Sequence, residues 1–533
     1  MNSTTQPARM PAGIPYIVIN EFAERFCYYG INAILTVYMV NFLRFGEAQA
    51  TTWQSLFKSG AYFFPLLGAI VSDVFLGKFR TIMIFSSAYV AGCALLALSD
   101  SPQSMAVGLF LIALGTGGIK PCVSTNVGDQ FTASNQHLIE RAFSWFYLSI
   151  NAGSLISISL CPWLLPNYGP KVAFGLPAVM MAVAVTVFWL GRNKFAVVPP
   201  AGKAWLRDVF SAEGLGIIAR LALIYLFVAF FWSLWEQSNG QTWVLQAQSD
   251  LMDKRLAFGF EILPAQIQVV NALFILIQVP IFTYLIYPAM GRFFTVTPLR
   301  KMAMGMFLVA GSFVLVAWIE SRIQAGIVTS VWWQILAYFI LTAAEVLVSI
   351  TALEFSYKQA PLKMKSFIMA LFLLSTSVGN LFTAAVNGFM VEPLQARGGA
   401  TGAQTWVQIE QAAAFQIGQK IDFAGDTGVT VRKADGTTEP LAGTYLVAEV
   451  DSGARSVRLM DATSRQPVVS EGRFNADAAR VSTYALVGPM YFLFFAGVMA
   501  VAATLFILVA LFYREKTFVR EAEAPLELAA EEH

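Results

Sequence analysis

The stretch Glu21-Phe22-Ala23-Glu24-Arg25-Phe26-Cys27-Tyr28-Tyr29-Gly30 places three ionisable side chains inside an apolar segment that runs from Ile14 to Phe42. A segment of that length crosses a bilayer as a helix, which takes about 20 residues. A charge at mid-membrane costs at least about 2.5–3.5 kcal/mol on insertion, and such groups mark ion or substrate paths. At about 100° per residue, Glu21, Glu24, Arg25, Tyr28 and Asn32 fall on one helix face. Ile17, Val18, Phe22, Phe26 and Ala33 occupy the other faces. The pattern predicts a helix that is greasy toward lipid and charged toward a wet interior.

The rest of the chain has the composition of a membrane protein. Its 533 residues are 57% apolar and 13% charged, against about 25% charged in a soluble domain. Twelve spanning segments are expected, near 14–42, 52–76, 79–99, 102–124, 140–163, 172–191, 215–245, 265–288, 299–319, 329–356, 366–391 and 484–513. With the N-terminus inside, the cytoplasmic loops and tails hold 17 Lys and Arg, and the short outer loops hold 5. That bias puts both termini on the cytoplasmic side, and a plasma (bacterial inner) membrane is the expected location. The first segment is too long for the apolar core of a cleaved signal and carries charge, so it is expected to remain as an anchor. Cys27, Cys93, Cys122 and Cys161 lie in apolar segments without metal spacing and read as core thiols. The net charge of +2 is uninformative, and small peptides, protons and the lipid bilayer, not nucleic acid, are the expected partners.

The chain divides by composition. Residues 1–191 form a first six-helix bundle, and 192–212 a basic, Pro-containing cytoplasmic linker. Residues 213–391 supply helices seven to eleven of a second bundle, and 483–513 the twelfth. A solvated acidic tail follows over 514–533. The junctions Asp73-Val-Phe-Leu-Gly77-Lys78-Phe-Arg80 and Pro288-Ala-Met-Gly291-Arg292 echo each other one helix pair into each half. Such a parallel repeat suits a two-bundle transporter. Residues 392–482 are polar and rich in Gly, Thr and Asp. Alternating runs at Gly428–Arg432, Thr444–Glu449 and Ser456–Met460 are separated by turn signals at Ala434-Asp435-Gly436 and Asp451-Ser452-Gly453. They predict a small extracytoplasmic β-rich insert, either passive or a cap over the interior.

Other spanning segments also carry buried polar groups: Gly115-Thr-Gly-Gly-Ile-Lys120-Pro121, Asn151, Trp232 with Glu236, Asn271, and Glu345. Gly115, Gly117 and Gly118 read as packing residues that let helices approach. Asp73, Lys78 and Arg80 read as a cytoplasmic turn and gate latch.

These residues together give a family resemblance. The chain resembles the proton-dependent oligopeptide transporters (POT/PTR2) of the major facilitator superfamily, across essentially all twelve helices. The signature E-x-x-E-R-F-x-Y-Y-G stands at Glu21–Gly30, a helix two–three turn at Gly68–Thr81, and G-T-G-x-x-K-P at Gly115–Pro121. F-Y-x-x-I-N-x-G-S stands at Phe146–Ser154, F-W-x-x-x-E-Q at Phe231–Gln237, and a related run at Glu354–Pro361. The resemblance implies an all-α major facilitator fold with the β-rich insert between helices 11 and 12. It implies a monomer that imports di- and tripeptides with protons as the coupling ion and no cofactor. Glu21, Glu24, Arg25, Lys120 and Glu236 would couple protons. Tyr28, Asn32, Tyr62, Lys120, Asn151, Trp232, Asn271 and Glu345 would bind the peptide, with Lys120 and Glu345 at its opposite charged ends.

Asn32 departs from the pattern, since the family usually has arginine there. The departure implies that Lys120 takes the peptide carboxylate alone and that Glu236 lacks its usual partner. Ser55 stands near the place where animal members use histidine, so proton handling is expected to rest on carboxylates. The departure at Asn32 keeps another small solute open as cargo, such as nitrate, an amino acid or a modified peptide. A transporter-like peptide sensor is also open. The sequence contains no G-x-x-x-x-G-K-[ST] phosphate loop and no His or Cys cluster for a catalytic metal, so an enzyme is not expected.

Overall fold

The structure is a computed structural model that describes residues 9–132, 135, 138–196, 199–200, 210–359, 364–432, 437–486 and 488–513. The acidic tail, both histidines, the turn at 434–436, the end of the Glu354–Pro361 run and much of the basic linker lie outside the described residues.

The first half is built from α1 (Ile14–Asn41), α2 (Glu47–Ile70), α3 (Lys78–Leu98), α4 (Pro102–Asp129) and α5 (Ile139–Leu190). Local chemistry sets several ends. Pro102 opens α4, and the Ser101 hydroxyl accepts a hydrogen bond from the Ser104 amide, an N-cap that satisfies an otherwise orphaned donor. α2 widens into a π-helical stretch, Val71–Leu76, and stops at Gly77, whose φ of 75° suits only glycine. α5 has 52 residues, about 78 Å if straight, more than twice a hydrocarbon core of about 30 Å. It breaks at Gly169, where φ is 78° and ψ 175°, and so divides into two lengths that each suit a crossing.

The second half contains α6 (Ala212–Ser238), a short α7 (Thr242–Gln248), α8 (Val269–Ile281), α9 (Pro298–Gln324), α10 (Val331–Glu345), α11 (Lys365–Phe389) and α12 (Pro489–Phe512). α8 and α10 each pass into a π-helical turn and resume, to Gly291 and Gln359. Among the described residues ten helical stretches are long and apolar enough to cross a membrane. α1 is outside that set because its ionisable and amide side chains dilute the apolar run. Each half has its own apolar core. One runs from Ile14 to Phe188, the other from Ile217 to Phe506.

Between α11 and α12 the described residues form ten strands. They are β1 (Val391–Leu394), β2 (Ala396–Ala400), β3 (Trp406–Ile409), β4 (Lys420–Gly425), β5 (Val429–Arg432), β6 (Thr438–Pro440), β7 (Gly443–Asp451), β8 (Ser456–Asp461), β9 (Val469–Gly472) and β10 (Ala479–Tyr484). Seven make one sheet in the order β1-β10-β4-β7-β8-β3-β2, and β9-β5-β6 make a second. Every pairing within these two sheets is antiparallel. In β5 the burial alternates strictly, Val429 and Val431 in, Thr430 and Arg432 out, as a half-buried strand requires. The inward residues, among them Val407, Phe423, Val447 and Leu459, form a third core.

This module belongs in sequence to the second half but grips the first. Lys420 pairs with Glu47, and Arg44 pairs with Glu439. The Glu47 amide donates to Thr444 Oγ1 at 3.0 Å, and the Ala48 amide to the Tyr484 hydroxyl at 3.3 Å.

Candidate functional site

α1 is seated on α5 at two glycines. A Cβ on Gly153 would meet the Phe22 carbonyl oxygen at 2.5 Å, and one on Gly30 would meet Cys161 Sγ at 2.7 Å. Small residues permit that approach. The close seat corrects the expectation of a lipid-facing apolar side. Ile17, Phe26 and Ala33 are as buried as Glu21, Glu24 and Arg25, while Val18 and Phe22 are half-buried and Ile19 is exposed, so most of α1 packs on protein and only a narrow strip faces outward.

Within that core Arg25 bridges two acids. Its Nε lies 3.1 Å from Glu21 Oε1, and its Nη2 pairs with Glu24. Thr116 on α4 donates to Glu24 Oε1 at 2.6 Å. Lys120, one turn further on, stands apart from this trio. Its Nζ sits 4.4 Å from the centroid of the Tyr62 ring on α2, in cation–π geometry. Tyr28 lies edge-on to Tyr29 at 5.4 Å, with the Arg25 guanidinium 5.8 Å from its ring centre. Gly117 and Gly118 do pack: a Cβ on either would fall within 2.3 Å of Phe64 or Phe85.

The second half presents a carboxylate of opposite sign. Glu345 Oε2 accepts from Trp235 Nε1 at 2.9 Å and from Asn271 Nδ2 at 2.8 Å. Asn271 also reaches Thr342 Oγ1 at 3.0 Å. Glu345 is the last residue before the π-helical turn of α10, a distortion often found at working sites. Trp232 lies edge-on to Trp235 at 5.5 Å, and its buried Nε1 has no acceptor. Among the described residues neither Glu345 nor Lys120 makes an ion pair. Both remain half-buried, as do Tyr62, Asn151 and Asn271.

Glu236 has a partner that the sequence reading lacked. Lys58 Nζ on α2 lies 2.7 Å from Glu236 Oε2, with both side chains almost wholly buried. Its directed hydrogen bonds go to the carbonyls of Glu236, at 3.1 Å, and Asn239. Asn32 belongs to this cluster and not to the Lys120 side. Its Nδ2 donates to Asn239 Oδ1 at 3.1 Å, and its Oδ1 accepts from Gln54 Nε2 at 2.7 Å. Thr36 donates to the Gly240 carbonyl at 2.6 Å. The signal that was available for Lys58 is a lone lysine in an apolar spanning segment.

Two further expectations change. Lys78 pairs with Asp129 at the end of α4, so the latch joins α3 to α4. Asp73 stays within the π-helical turn, and Arg80 is exposed. Asn151 turns its Nδ2 to the Tyr147 carbonyl at 2.8 Å, on its own helix. Two cavities, of about 190 and 860 Å³, lie away from Lys120 and Glu345, against the β-rich module.

Two helical halves with separate cores, meeting around buried acids and bases, are the architecture of a membrane transporter. The family model described as PTR2, POT family, matches residues 79–212 and 211–407, and the chain belongs to that family. It is 38% identical over 352 residues to "Solute carrier family 15 member 2" of Danio rerio, 57% of this chain and 48% of the relative. It is 37% identical over 368 residues to "Peptide transporter family 1" of Drosophila melanogaster, covering 60% and 49%. The chain thus spans about half the length of the curated relatives it matches. Among solved structures, that of the POT family transporter PepTSo aligns with a TM-score of 0.64 and 35% identity, over 71% of this chain and 90% of that one. An auto inhibited POT family peptide transporter aligns with a TM-score of 0.70 and 28% identity, over 96% and 99%.

Proposed function

We propose that the protein is a proton-coupled symporter that imports di- and tripeptides by alternating access. In this reading twelve spans form two six-helix bundles of a monomer in the plasma (bacterial inner) membrane. The β-rich module lies outside and both termini lie in the cytoplasm. The observation that carries the reading is the pair of unmatched opposite charges, Lys120 in one half and Glu345 in the other. A free peptide is a zwitterion, and each end needs a charged partner once desolvated. Glu345, oriented by Trp235 and Asn271, takes the amino group. Lys120, backed by Tyr62, takes the carboxylate. Trp232, with a free indole N–H, offers a donor to the peptide backbone.

Charge balance gives the proton its place. Glu21 and Glu24 bring two negative charges against one on Arg25, so the trio accommodates one proton. Docking a carboxylate on Lys120 and rocking the halves changes the field at that trio, which ties protonation to cargo. Lys58 supplies the positive charge at Glu236 that Asn32 does not, so the departure on α1 leaves the peptide reading intact. The relatives named as peptide transporters support the same cargo. The test is uptake of labelled dialanine into proteoliposomes with and without an inward proton gradient. Accumulation above equilibrium is expected with the gradient. Uptake of nitrate or an amino acid in its place would overturn the assignment.

A further inference from the structure

The smaller cavity, about 190 Å³, lies between the module and the helix ends beneath it. Its walls include Arg44 of the α1–α2 loop, Glu47 at the start of α2, Glu320 near the end of α9, and Lys420 and Arg465 of the module. Three of these charges are matched, since Glu47 pairs with Lys420 and Arg44 with Glu439. Two are not. Glu320 is buried and accepts one hydrogen bond, from Gln246 Nε2 at 2.9 Å. Arg465 reaches the Gln324 carbonyl with Nη1 at 3.4 Å, and its Nε is buried without an acceptor. Among the described residues neither makes an ion pair, yet both line the same chamber.

Opposite charges taken out of water and held short of contact bear the desolvation cost without the compensating bond. The backbone adds a second sign. Arg44 and Arg465 both have φ of 57°, two of the three non-glycine residues in the left-handed region. Such strain persists where surrounding structure enforces it, and it clusters at ligand sites. Asp461, also in the lining, accepts from the Thr463 and Ser464 amides and the Ser464 hydroxyl, which leaves Glu320 and Arg465 as the two charges of opposite sign that no neighbour among the described residues pairs. A ligand of net charge would be left unbalanced there, whereas a ligand with one charge of each sign would not.

We propose that this chamber is a second binding site, separate from Lys120 and Glu345, that takes a small zwitterion with its amino group on Glu320 and its carboxylate on Arg465. The peptide class of that zwitterion rests on the transport reading, while the existence of the site does not. On the outer side it would be an antechamber that cargo meets first.

The test uses the full-length protein and labelled dialanine. On a Glu345→Gln background, which disables the central site, about one equivalent of binding should persist. Adding Arg465→Gln or Glu320→Gln should weaken that binding at least tenfold. Thr463→Cys gives an independent readout on an otherwise native chain. Thr463 is exposed and lines the chamber, and all four native cysteines are buried. Dialanine should slow its labelling by a maleimide, and acetate or methylammonium alone should not. The proposal is overturned if Glu345→Gln binds no dialanine and the labelling rate is unchanged. If proteoliposomes take up no dialanine but binding persists and depends on Arg465, the chamber stands and only the transport reading fails.

Discussion

At the scale of single residues, the Lys58–Glu236 contact carries the clearest consequence. Its two side chains are 0% and 2% exposed, and removing one partner of a buried pair costs about 3–5 kcal/mol. Lys58→Met should therefore lower the melting temperature in detergent sharply. Glu236→Gln in the same chain should recover most of the loss, because the stranded charge is gone. Strictly additive losses in that double-mutant cycle would show that the two residues do not interact. The pair also marks what the sequence discloses and what it hides. Glu21, Glu24, Arg25, Lys120 and Glu345 stand out as ionisable groups in apolar runs. That Lys58 meets Glu236, 178 residues away, is a tertiary fact that no local pattern carries. The same holds for Lys78, which stands near Asp73 in sequence and pairs with Asp129 at the end of α4.

At the scale of an element, β4 is held by a carboxyl in an unusual state. Asp422 is buried, and accepts hydrogen bonds from Thr444 Oγ1 at 2.6 Å and from Tyr484. Burial pushes its pKa up from 3.8 to about 6, against those hydrogen bonds, which hold it down. The folded module then binds this proton more tightly than the unfolded chain. The contribution, about 3 kcal/mol, is complete below the unfolded value and is lost as pH rises through about 6. Amide protection across Lys420–Gly425, corrected for intrinsic exchange, should fall between about pH 4 and pH 6 and level off above. Asp422→Asn should remove that slope, and an unchanged slope in the variant would assign it to another group. Strand legibility followed side-chain pattern. The alternating runs lie in β5, β7 and β8, whereas β2, Ala396-Arg-Gly-Gly-Ala, has no apolar alternation and sits at the sheet edge. The expected gap between 163 and 172 narrows to Gly169, because Pro162 and Pro166 are accommodated within α5.

At the scale of the whole molecule, the hydrogen bonds that join the two halves among the described residues lie on the module side. Ser59 meets Ser377 at 2.8 Å, Asn387 donates to Thr51 at 3.0 Å, and Ser55 donates to Gln241 at 3.2 Å. The ion pairs from Arg44 and Glu47 to the module add to this closure. Alternating access requires all of them to part. Because the Ser59 and Ser377 hydroxyls meet at 2.8 Å, a Ser59→Cys/Ser377→Cys pair brings its two sulfurs together and is expected to crosslink on oxidation. Oxidation should abolish uptake and reduction should restore it. Full uptake by a quantitatively crosslinked protein would mean that this side does not open.

The proposed coupling depends most on the acids around Arg25 exchanging a proton as cargo moves. Dialanine flux in proteoliposomes, measured for Glu21→Gln and Glu24→Gln in two modes, tests it directly. Accumulation driven by an inward proton gradient should vanish in both variants, while counterflow exchange without a gradient should survive in part. Gradient-driven accumulation at the native level in both would contradict the assignment.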